Sequence, residues 1–222
     1  YLRQIIVVPL FPVLFAFSAG IDGFMFVASP IFGAFILCIA GYTDVSYDGT
    51  AFASVLSSGI RGRADRWGRI LGAASVGIPL TIVIAVVITL IAGQIAALPA
   101  VLGGALGLQL VGYGVTAVSS ALITTPVAAP GDSPFKTVPG QTFVSGLLVF
   151  VVLGACGVLA SPAVGLSIAA IIGGSTALGW VALAVGLGVG AAVIAGGVFL
   201  GGRTLEQTGS DLLLRIKAFP VT

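Results

Sequence analysis

The chain has 222 residues, of which 58% are hydrophobic and only 7% charged, and its net charge is +2. A soluble domain carries about 25% charge, so a mean hydropathy of +1.22 excludes a water-soluble globule and points to an all-α polytopic membrane protein. The absence of histidine excludes His/Cys metal sites and Ser-His-Asp catalysis, and so weak a net charge argues against a nucleic-acid partner.

Apolar runs of about 20 residues mark membrane helices, and six are present, predicting a single transmembrane domain over 1–222. The first covers residues 5–20 and is interrupted by Pro9 and Pro12; the second covers 24–42. Between the second and third, residues 48–60 carry Phe52, Val55, Leu56 and Ile60 at helical spacing, with Ser54, Ser57 and Ser58 on the other face. Asp48 suits the cap of this short amphipathic helix, and Asp44 a cap just before it. Four of the nine basic residues, Arg61, Arg63, Arg66 and Arg69, follow within nine positions. Two readings stand side by side: a surface helix whose arginines meet lipid phosphate, or a docking element for a cytoplasmic partner, with Arg61, Arg63 and Arg66 offering charge to it.

The third span covers 70–92 and the fourth 98–124. At 100° per residue Gln109, Tyr113, Thr116 and Ser120 share one face of the fourth. They suit a pathway lining, or hydrogen bonds between helices. The segment 124–141 has four prolines and reads as a semi-rigid connector. Within it "GDSPFKT" resembles a phosphate-binding loop but lacks the glycine before Lys136.

The fifth span covers 142–160. The apolar stretch 161–176, opened by Ser161–Pro162 and closed by paired glycines, is short for a span and predicts a re-entrant segment. The sixth span, 177–200, holds Gly186/Gly190 and Gly197/Gly201 at the four-residue spacing of close helix packing. A polar tail follows. Cys38 and Cys156 lie in apolar runs, which suits buried free thiols better than the alternative, a disulfide between them.

Charge supports six spans. This count places all nine Lys and Arg on one side, which the enrichment of cytoplasmic loops in basic residues makes the inside. Both termini are then cytoplasmic. A seventh span at 161–176 would move Arg203, Arg215 and Lys217 outside. No ionisable residue lies inside a span, which counts against an ion-coupled carrier. The chain begins at Tyr1 rather than Met, so a preceding segment is expected in the full protein.

The order of these elements, with "YDGTAFASVLSSGIRGRADRWGRILG" and "PGDSPFKTVPGQ", resembles the permease (transmembrane) subunits of type-2, exporter-type bacterial ABC transporters, in their actinobacterial form. The resemblance implies a coupling helix between spans two and three. It implies an ATP-binding subunit as partner, with ATP and Mg held there and no cofactor or catalytic site in this chain. It also implies a second permease copy or half, and residence in the bacterial cytoplasmic membrane. The small, apolar and hydroxyl side chains suit a hydrophobic or amphipathic substrate. The residues also leave open a carrier or channel without an ATPase, a lipid-acting enzyme and an assembly factor; the lack of paired acidic residues counts against the enzyme.

Overall fold

A computed structural model describes residues 2–21, 23–125 and 143–218. The proline-rich connector with Lys136, and Asp22, fall outside them. The described residues form six apolar helices and two short ones: α1 (Leu2–Ala19), α2 (Phe24–Leu37), α3 (Asp44–Asp48), α4 (Phe52–Ser57), α5 (Gly62–Ile91), α6 (Leu98–Ser119), α7 (Phe143–Gly173) and α8 (Thr176–Lys217). Four stretches are long and apolar enough to cross a membrane: Gly62–Ile91, Ile95–Ser119, Gly146–Gly173 and Thr176–Ile216. The apolar parts of α1 and α2 are shorter, Pro9–Ser18 and Phe24–Leu37. At 1.5 Å per residue α2 spans about 21 Å, less than a hydrocarbon core of about 30 Å. A run of single turns from Cys38 to Thr43 carries the chain onward.

Helix α6 is the axis of the bundle. Its small residues are buried on nearly every side. Ile31 and Cys38 of α2 lie against Gly104 and Gly112, and Ala182 and Val193 of α8 against Gly103 and Gly114, so these three helices run in one direction. Thr81 and Arg66 of α5 meet Gln109 and Ser120, while Ala163 and Ser167 of α7 lie near Gly107 and Gly104. Both of those helices therefore run the opposite way. One end of the bundle gathers Asp44, Asp48, the α5 arginines, Arg203 and Glu206. At the other end the turns at Gly93–Gln94 and Gly174–Ser175 carry no charge.

The structure corrects the expected re-entrant segment. Residues 161–173 are not a separate re-entrant segment; they continue α7 without a break. Proline at 162 removes the N–H that would bond the carbonyl of Val158. Ser161 Oγ donates to that same oxygen at 2.8 Å. The device recurs in α2, where Pro30 frees the carbonyl of Phe26 and Ser29 Oγ donates to it at 2.6 Å. Neighbouring hydroxyls are how helices away from water tolerate proline. Helix α7 ends instead at Gly174, with φ +62°, and Ser175 Oγ accepts from Leu178 N at 3.3 Å to start α8.

Helix α8 extends beyond the expected sixth span. Its 42 residues measure about 63 Å, roughly twice a hydrocarbon core. The polar tail is thus a continuation of the same rod, projecting at the charged end.

Candidate functional site at the charged end

The segment between α2 and α5 is not one helix over 48–60. It is α3, a single tight turn at Gly49–Ala51, and α4, stopped by Gly59 in the left-handed region at φ +67°. Its apolar stripe faces inward. Phe52 is fully buried with Val45, Ala121, Leu205, Leu212 and Ile216, and Val55 and Leu56 pack against the same cluster. Leu56 sits on Gly209, where an added Cβ would come within 2.8 Å of its Cδ2. The stripe therefore clamps α4 to the projecting end of α8 rather than lying open to a partner. Ile60 is 51% exposed, and Ser54, Ser57, Ser58 and Arg61 are exposed beside it.

The start of α5 is pinned to α8. The Gly62 amide donates to Glu206 Oε1 at 2.8 Å. At the crossing, a Cβ on Gly202 would stand 2.6 Å from the Arg63 nitrogen. Arg63 lies over the Phe199 ring, 4.2 Å from its centroid, a favourable contact for a guanidinium.

Arg66 does not offer its charge to solvent. Its side chain is 1% exposed. Its Nε and Nη2 donate to Asp65 Oδ2 at 3.0 and 2.5 Å, and Nη1 donates to Ser120 Oγ at 2.6 Å. Arg69 donates to Asp65 and to Asp48. Asp44 stands 4.0 Å from Arg69 Nη1. Burial raises the Asp44 carboxyl above its usual pKa, and Arg69 and Arg66 oppose this in part. Neither aspartate caps a helix here: Asp48 closes α3 and pairs with Arg69, and no side chain caps α3 or α4.

The polar face of α6 divides in two. Thr81 Oγ1 donates to Gln109 Oε1 at 2.9 Å, and Gln109 Nε2 donates to Tyr113 Oη at 2.8 Å. Tyr113 Oη reaches the Ala73 carbonyl at 3.4 Å. This is a buried bridge from α6 to α5, as polar groups make between helices in membranes. Nearer the charged end, Tyr113, Thr116 and Ser120 border a cavity of about 390 Å³. Leu37, Ile70, Ala73 and Ala117 supply apolar wall; Asp44, Tyr47, Arg66 and Arg69 close it.

The four glycines of α8 form a seam with α6. An added Cβ on Gly197 would lie 2.7 Å from the Gly114 carbonyl carbon, and one on Gly201 2.7 Å from that of Ala117. Gly186 packs on Gly103 and Gly107, and Gly190 on Leu110.

Sequence reading missed Asp65, Thr81, Glu206 and the α6 glycines Gly103, Gly107 and Gly114. Asp65 and Arg69 stand at the (i, i+4) spacing of a helical ion pair, a signal available in the sequence. Thr81 and Glu206 meet partners 28 and 144 positions away, so local pattern cannot reveal their role.

The described residues are thus all-helical outside turns, with four helices long and apolar enough to cross a membrane and a charged end built from α3, α4, α5 and α8. Comparison with known protein families, with curated proteins and with solved structures finds no match.

Proposed function

We propose that this chain is the membrane-spanning permease subunit of an exporter-type ABC transporter in a bacterial cytoplasmic membrane. It has six crossings, both termini inside, and a separate subunit that binds ATP and Mg. A second permease copy or half completes the pathway, and the cargo is hydrophobic or amphipathic. One observation carries the reading. The segment between the second and third apolar helices is clamped through Phe52 and Leu56 to the projecting end of α8, and α8 is pinned through Glu206 and Gly202 to the first turn of α5. Force applied to α3–α4 is thereby delivered to two membrane helices at once. Nucleotide states in the ATPase move the permease only through contacts that differ between its two conformations.

The clamp changes which side chains meet the ATPase. Phe52, Val55 and Leu56 hold the element together; Ile60 and Arg61 are the parts it presents. The test is affinity purification of the full chain from its native membrane. A soluble subunit with Walker motifs should accompany it, and its ATPase activity should respond to cargo. Ile60→Asp with Arg61→Glu should release that subunit while the chain stays inserted and monodisperse. A chain that purifies without any such subunit overturns the proposal.

A further inference from the structure

The charged groups at the cavity are unequally partnered. Of the charged groups, Asp44, Arg66 and Arg69 line it, while Asp48 and Asp65, outside the lining, pair with the two guanidiniums. Arg66 is held by Asp65 and Ser120. Arg69 divides its donors between Asp65 and Asp48. Asp44 is left at 4.0 Å from the nearest guanidinium nitrogen, beyond hydrogen-bond range. Its side chain is 40% exposed and borders the cavity. Two arginines already engaged by carboxylates are poor receptors for an anion. A bare metal ion requires several converging oxygens, and much of this wall is aliphatic. A volume of about 390 Å³ lies instead in the range of small-molecule sites.

We propose that this cavity binds an amphipathic organic monocation, its charged head beside Asp44 and its apolar body along Ile70, Ala73 and Leu37. The inference rests on the permease reading and narrows its cargo to cations.

Tetraphenylphosphonium and tetraphenylborate share shape and differ in the sign of their charge. Equilibrium dialysis of the full chain in lipid nanodiscs, with empty nanodiscs subtracted, should show phosphonium binding at least about tenfold tighter than borate. Asp44→Asn should remove about that factor, and Asp44→Glu should keep most of it. Equal binding of the two ions overturns the proposal, as does an Asp44→Asn protein that binds phosphonium unchanged. Should Asp44→Asn fail to insert, the comparison of the two ions on the unaltered chain decides alone. The same preparation is assayed for the ATPase subunit. Its absence beside a clear cation preference sinks the transporter reading and spares the cation site. Its presence without that preference sinks the cation site and spares the transporter.

Discussion

Helix α6 meets α8 and α5 by different physics. Toward α8 it presents Gly103, Gly107, Gly114 and Ala117, and the two backbones approach until no side chain fits between them. Toward α5 it presents Gln109, Tyr113 and Ser120, and the contact is made by hydrogen bonds to Thr81, Ala73 and Arg66. In lipid, apolar side chains gain little by leaving one neighbour for another, so helices associate by close packing or by polar bonds. The first device has no tolerance for added volume, because backbone cannot step aside. The second is graded, since a lost bond can be replaced by another partner or by water.

That contrast sets the order of expected damage. The largest effect belongs to the glycine seam. Gly196 and Gly197 are neighbours in sequence, yet a Cβ on Gly196 meets nothing within 4 Å while one on Gly197 collides with Gly114. Gly197→Leu should abolish the monodisperse protein in detergent, and Gly196→Leu should leave yield and elution volume near those of the unaltered chain. Similar behaviour of the two variants would show that α6 and α8 are not in backbone contact.

Next comes the ionic part of the α5 contact. Replacing Arg66 by Met keeps much of the volume but leaves Ser120 without its donor and Asp65 with Arg69 alone. Breaking one side of a buried pair costs about 3–5 kcal/mol; the remaining Arg69 contact brings the expected loss toward about 3. Thermal unfolding in detergent reads it. A loss below about 1 kcal/mol would mean that the Arg66 side chain is solvated.

The two contacts were unequally legible in the sequence. Gly186, Gly190, Gly197 and Gly201 announce themselves by spacing, because close approach needs small residues at helical intervals on one helix. Their partners on α6 did not, since that helix is rich in glycine on several faces. The polar face of Gln109, Tyr113, Thr116 and Ser120 was legible as a face, but not its division into a bridge and a cavity wall. That division depends on where α5 and α2 lie. Arg66 was misread for a related reason: composition places an arginine beside a membrane at the surface, and only Asp65 and Ser120 together let it be buried. The break expected at Ser161–Pro162 failed because the serine supplies a hydrogen bond to the carbonyl that proline orphans. Six apolar runs were legible throughout, because hydropathy needs no tertiary information.

The bridge between α5 and α6 should be worth less than the ion pair. Hydrogen bonds between membrane helices average about 0.6 kcal/mol, with a maximum near 1.7. Thr81→Val and Gln109→Leu, made singly and together, form a cycle whose coupling energy should fall in that range. A coupling near zero would mean that the bond of 2.9 Å between them contributes nothing to stability.

The smallest effect, and one of opposite sign, is expected where α7 meets α6. Ser167 is fully buried, and among the described residues its Oγ has no hydrogen-bond partner. It faces Gly104, where an added Cβ would come within 3.0 Å of that oxygen. A buried hydroxyl without a partner carries a desolvation cost of about 1–3 kcal/mol. Alanine at 167 removes the cost and opens a void of only one atom. Ser167→Ala should then match the unaltered chain or exceed it by up to about 1 kcal/mol, read as an unchanged or higher midpoint of thermal unfolding in detergent. Ser167→Val adds volume against Gly104 and should lower the midpoint. A clear loss on Ser167→Ala would mean that the hydroxyl does find a partner, and that the contact of α6 with α7 belongs with the polar device rather than with close packing.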